Sequence, residues 1–517
     1  MAWPSMQTRS VVPVRLHPRR FGPVAALCLL ALIGGLIPVG GCFRQAPPSV
    51  GSQTLRIGMA KTEEALDVLV EKLSAEPLLV LDRHGRVVTR LASEWHWRDD
   101  RRALTVQLRP GVRFHDGTPV TAPAVAAILR KNVPTDPSQG FRYLTSIEAP
   151  NDLTLTFHLS RPDAFLVEAI TGALIVDEDR PNVRTGPFRI LSKESQIEAE
   201  KNPAYYRGMP GIDRVEVTFF DTQRAVFAAM MRGTVDMVPE VNPESVEFIE
   251  GASQFAMLPS VRPFYIPLVF NLRNPILKQV EVRRALVQAI DREEIVRQAM
   301  RGHARIADDD PIWPSYWAYN ISTKRHAYDP AAARARLEAA GFPVRPSTSP
   351  DRMASRFQLN CIFYNKDFQF ERIAVLLQRQ LEEVGVDLIV IAVDGRTLQS
   401  RAKSGDFDSY VYQASSGKSS DGVYRFWHSL GGRQSTGYTG ADAALDQLRN
   451  SFVDGDVRVA MANLRQRFYE DVPAAFLAWP ETTRAIDVRF DIGDTSDPDV
   501  FANLWRWRPG GEQKAQR

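Results

Sequence analysis

Tyr410 to His428 (YVYQASSGKSSDGVYRFWH) concentrates side chains suited to capturing a small polar solute. Ser415 and Ser416 supply hydroxyls, Lys418 a cation and Asp421 an acid, while Tyr412, Tyr424 and Trp427 offer aromatic walls. Phe264 and Tyr265, in the run PFYIPLVFN (263–271), add two more rings. This is the chemistry of recognition: charge pairing and hydrogen bonds against apolar surface. Catalytic chemistry finds less support. The eight histidines are scattered, and no two stand four apart beside an acid, as a zinc-hydrolase helix requires. His115–Asp116 is the most tempting acid/base pair. Neither a Walker loop nor a dinucleotide glycine loop is present, so no nucleotide or other cofactor is expected.

Regular elements must position these segments. Leu104–Leu108 and Leu153–Leu159 alternate apolar and polar residues, the mark of half-buried antiparallel strands. Arg109-Pro110-Gly111 and Asp116-Gly117 punctuate the chain, and Thr121 is placed to cap a helix carrying Val125 and Leu129. Residues 224–231, then Gly233, then Val235–Met237 read as helix, left-handed glycine and strand. Residues 370–384, Gly385 and Val386–Val393 repeat that unit, which predicts α/β architecture. Asp291 with Glu294 has capping-box spacing, and Asp329-Pro330 opens a helix that Gly341 ends.

The order W-x-W-x-D-D from Trp95, followed by L-R-P-G-V-x-F-H-D-G-T-P-V-T-A from Leu108, is long and unusual. It resembles the family 5 solute-binding proteins of bacterial ABC importers, which include oligopeptide-, dipeptide- and nickel-binding members. Thr185-Gly186-Pro187-Phe188, Asn202-Pro203-Ala204-Tyr205-Tyr206 and Val472–Leu477 extend the resemblance over about residues 54–490. It implies an α/β, two-lobe periplasmic-binding-protein-like fold (type II) with an extra β-rich subdomain and a hinge. The first lobe would span 54–262, with the subdomain at about 79–182. The second lobe would span 263–478, residues 479–507 would return to the first, and 508–517 would form a frayed tail. Residues 60–75 are shorter than the family's usual stretch, so one cleft wall is expected to be trimmed. His115–Asp116 becomes part of a turn.

The resemblance also sharpens the loop. In peptide-binding members an aspartate there pairs with the ligand's α-amino group. Here its position falls on Ser416, or on Gly417 in an ungapped register, and the usual tryptophan is replaced by Gln413 or Ala414. Either specificity has changed or Asp421 substitutes. Backbone groups around Phe264 are candidates for strand-like ligand contacts.

The first 41 residues read as an export signal, with Arg9, Arg15, Arg19 and Arg20 before the apolar run Phe21–Val39. Val39-Gly40-Gly41-Cys42 resembles a lipobox, which makes Cys42 the lipidation site and residues 43–52 a tether. Removing residues 1–41 leaves 60 cationic residues against 61 acidic ones, so a nucleic-acid role lacks an electrostatic basis. Cys361 then stands alone, without a disulfide or a cysteine metal site. The expected molecule is a lipid-anchored extracytoplasmic monomer, not an enzyme. It would capture a peptide or peptide-like solute for permease and ATPase subunits. A metal-chelate or haem binder using His428 and arginines is the rival within the family, and a secreted hydrolase the rival outside it.

Overall fold

The computed structural model describes residues 53–510, apart from 62–64, 178, 181–182, 195, 242, 250, 320–324, 347–353, 433–434 and 494–498. The expected signal, Cys42 and residues 511–517 of the expected tail lie outside the described residues.

Two sheets carry the fold. A four-stranded antiparallel sheet orders Ala92–Trp97, Ala103–Leu108, Thr154–Leu159 and Leu144–Asn151. Alternation places Leu104, Val106, Leu155 and Phe157 in its core, where Val125 and Leu129 of helix Ala122–Asn132 join them. Thr121 is the N-cap residue, yet its hydroxyl makes no capping bond; proline in the first turn supplies the helical φ instead. Gly117 takes φ +87°, the left-handed conformation that lets the Asp116–Gly117 turn close.

The large sheet is 13-stranded. Its first half places Thr54–Ala60 parallel to Arg214–Phe220, with Gln196–Lys201 and Phe188–Ser192 continuing outward. Helix Gln223–Met231 crosses from Arg214–Phe220 to Met237–Val241 on the other side of Thr54–Ala60, and is capped by Thr222, which accepts the Ala225 N–H at 3.1 Å. The strand after Gly233 spans Met237–Val241 rather than 235–237. Asp236 sits just before it, with its carboxylate 2.9 Å and 2.6 Å from two Arg56 nitrogens.

In the second half, Phe357–Tyr364 runs parallel to Val386–Val393 and Ser409–Val411. A parallel pair needs a crossover, here helix Phe368–Glu382, whose Ile373, Leu377 and Leu381 are fully buried. Gly385 ends the segment at φ +83°. Cys361 lies buried in this core.

Strand Ala474–Asp487 joins the halves. Its start pairs with Phe264–Phe270, and its end pairs with Met237–Val241 and Phe255–Val261. The chain therefore passes between the halves twice, side by side, once near Arg262–Pro263 and once near Pro480. Residues 508 and 509 of the expected frayed tail are ordered instead, because Arg508–Pro509 pairs with Phe490–Asp491.

Candidate ligand groove

Beside this double passage opens a groove of about 920 Å³, within the range that holds small ligands. Helix Ala65–Ser74 supplies Val68, Glu71 and Lys72, and the crossing strands supply Ser260, Arg262, Thr482 and Arg484. Lys418 reaches it from the second half. Seven cationic residues line the groove (Lys72, Arg83, Arg90, Arg207, Arg262, Lys418, Arg484) against five acids (Glu71, Glu76, Asp82, Glu240, Asp499). Three acids have close cations: Asp499 with Lys72 at 2.6 Å, Glu240 with Arg262 at 2.9 Å, Glu76 with Arg90 at 3.6 Å. Asp82 accepts the His84 and Arg86 N–H groups of its own turn. The groove is thus weighted toward positive charge.

Burial decides the protonation tendencies. It pushes the Glu76 carboxyl up, even with Arg90 and the Tyr205 hydroxyl opposing. The Tyr205 O–H donates to Glu76 Oε1 at 2.7 Å, and both Tyr205 and Tyr206 are themselves shifted up by burial. Burial also raises Asp499, but Lys72 and Lys418 more than offset it, leaving that carboxyl below its ordinary value.

Of the residues singled out in the sequence, the groove takes Lys418. Phe264 and Ser415 are cross-strand partners that do not line it, although the Arg262 guanidinium lies 5.1 Å from the Phe264 ring centroid. Ser416 is buried: its N–H donates to Pro263 O, and its hydroxyl accepts the Trp313 N–H at 3.3 Å. Half-buried Tyr412 packs against Tyr364 and Phe370. Three expected pocket aromatics are core residues instead. The Trp427 indole N–H donates to Tyr265 Oη at 2.8 Å, with neither side chain lining the groove. Tyr424 is 1% exposed, stacked on His428 and 4.4 Å from the Arg449 guanidinium.

Residues 86–437 match the family of bacterial extracellular solute-binding proteins, family 5, by its middle region. That is more than half of the chain. The protein belongs to family 5. Among curated relatives, the oligopeptide-binding protein AppA of Bacillus subtilis is 25% identical over 495 residues, covering 89% of this chain and 90% of the relative. A putative peptide-binding protein AppA from Clostridium difficile shares the fold with TM-score 0.78 at 18% identity, covering 88% of this chain and all of that one. NikZ from Campylobacter jejuni, solved with Ni(L-His), has TM-score 0.73 at 20% identity, covering 89% of this chain and all of that one.

Family 5 members are extracytoplasmic substrate-binding components of ABC transport, not enzymes. The pair that most resembled an acid/base couple is engaged in turn contacts. Asp116 accepts the N–H and hydroxyl of Thr118 at 2.9 Å and 2.6 Å, while His115 Nε2 lies 2.9 Å from Gly186 O. No described helix is long and apolar enough to cross a membrane.

Asp421 of this family 5 protein is committed elsewhere. It is 6% exposed, accepts the Gln139 N–H at 3.0 Å, lies 3.0 Å from Arg425 Nε, and does not line the groove. His428, the rival reading's ligand, is buried with Nε2 3.4 Å from Asp446. Among the described residues, no His, Cys, Asp and Glu group is arranged to hold a metal ion. Glu76, Arg90, Arg207 and Trp505 line the groove and escaped sequence reasoning. They come from three stretches of chain, around 76–90, 207 and 505, with no spacing to connect them.

Proposed function

We propose that this family 5 protein captures a peptide-like solute bearing negative charge and lacking a free α-amino group, then presents it to an ABC permease. The carrying observation is the groove's cationic surplus, with Lys418 on its wall and Asp421 engaged outside it. The relative named as oligopeptide-binding supports the peptide-like class. Capture proceeds by closure of the two halves about the double passage, which excludes water and strengthens each charge contact.

Ligand binds the native state alone, so the right solute should raise the thermal midpoint. Screening N-blocked acidic peptides by thermal shift should find such a solute, and X-ray scattering should show compaction with it. A stabilising solute that leaves the scattering profile unchanged counts against closure.

The protein is further proposed to work as a monomer held to the membrane by lipid on Cys42, with residues 43–52 as tether. A lipidated cysteine carrying more than one acyl chain anchors stably. Cys42→Ser should abolish incorporation of labelled palmitate. Labelling equal to the parent's would refute the anchor.

A further inference from the structure

Three buried polar atoms without hydrogen-bond partners belong to residues lining the groove: Glu76 Oε2, Arg207 Nη1 and Trp505 Nε1. The residues form one cluster. The Arg207 guanidinium lies 4.9 Å from the Trp505 ring centroid, Tyr205 meets Trp505 edge-on at 5.8 Å, and Tyr205 donates to Glu76. Native proteins rarely leave buried donors and acceptors unpaired, so three such atoms in one cluster call for a partner.

We infer that this cluster receives the carboxylate end of the ligand: Arg207 and Trp505 donate to its oxygens, and Glu76 accepts the N–H of the residue that bears it. The inference rests on the peptide-like cargo proposed above and fixes which end of that cargo meets the first half of the sheet. Charge supports it. Arg90 and Arg207 against Glu76 leave one positive charge, which one carboxylate neutralises. Chemistry supports it too, because a peptide's last residue presents acceptor oxygens and one N–H donor. That is the complement of two orphan donors and one orphan acceptor. Arg207 is only half-buried as a residue, so a swing of its side chain brings Nη1 to the ligand.

Calorimetry with N-acetyl dipeptides, each as the free acid and as the C-terminal amide, tests the assignment. The acid should bind about tenfold tighter or more, the usual worth of a charge-assisted hydrogen bond. Arg207→Gln should bring the acid to the amide's level, and Arg207→Lys should fall between, since it keeps the charge and loses the fork. Should Arg207→Gln fail to fold by circular dichroism, Trp505→Phe keeps the ring and deletes the N–H. It should weaken the acid a few-fold. An acid preference undiminished in Arg207→Gln or in Trp505→Phe overturns the subsite, as does equal binding of acid and amide by the parent. Both of those leave the peptide-like cargo standing. Binding of neither form removes the cargo reading and the subsite with it.

Discussion

Asp421 faces the Gln139 N–H and the Arg425 side chain, and that commitment shapes which ligands the groove can hold. A buried ammonium without a carboxylate costs roughly 3–5 kcal/mol, or on the order of a hundredfold or more in affinity. With Ser416 holding Trp313 and Lys418 on the wall, the position that the resemblance gives the amine-binding aspartate carries no anion and has a cation beside it. Short peptides with free N-termini should therefore bind more weakly than their N-acetylated forms in calorimetry, and Asp421→Asn should leave both affinities unchanged. Tighter binding of the free peptides, lost in Asp421→Asn, would make Asp421 the displaced amine partner and sink the argument. The loop's hydroxyls and cation were legible in sequence, but the direction of each ring was not. Phe264 and Tyr265 are neighbours on one strand, so alternation sends them to opposite faces, and composition cannot say which face is dry. Tyr265 took the dry one. Glu76 and Arg207 were invisible for another reason: their relation exists only in three dimensions.

At the scale of elements, helix Phe165–Ile170 meets helix Ser420–Trp427, and Glu168 Oε2 accepts the Asp421 N–H at 3.2 Å across the contact. Burial first, and then the Asp421 charge, push the Glu168 carboxyl up to about 7. Burial pushes neighbouring Asp163 to about 6, although Arg449 lies 3.2 Å away. Asp136 and Arg425 also act on Asp421, and Tyr316 faces Glu168. A raised carboxyl holds its proton in the folded state after the unfolded chain has released it. Stability from this group accordingly falls as pH rises from about 4.5 to 7. Glu168→Gln, which keeps an acceptor for the Asp421 N–H, should stabilise the protein more at pH 8 than at pH 5, by about 1–3 kcal/mol in urea unfolding. Equal gains at both pH values would show that Glu168 is not held neutral. Caps were the most legible features at this scale. Asp291 accepts the Glu294 N–H and Asp329 the Ala332 N–H, because a cap is local chemistry. The reciprocal half of the capping box fails at Glu294, whose carboxylate turns to Gln380 and Arg379. Tertiary partners won there.

For the whole molecule, the motif from Trp95 to Ala122 was enough to name the family and hence the fold. The helix–glycine–strand units made the α/β architecture legible but not its strand pairing: Phe357–Tyr364, which pairs with both Val386–Val393 and Ser409–Val411, was not read as a strand. Strand Ala474–Asp487 was legible only at its beginning. The expected stretch stopped at Leu477, but the strand continues to Asp487 because partners from both halves line up along it. That strand sets the order in which the protein can be completed. Its partners at 237–241 and 264–270 are synthesised about two hundred residues earlier, and such distant pairings close slowly. While the ribosome works through the second half, those two strands wait as open edges, the kind that invite wrong pairing. If the export signal proposed from residues 1–41 is used, this delay helps, since a sheet that cannot yet zip stays threadable. The two halves of the sheet are joined only once this strand lies between them.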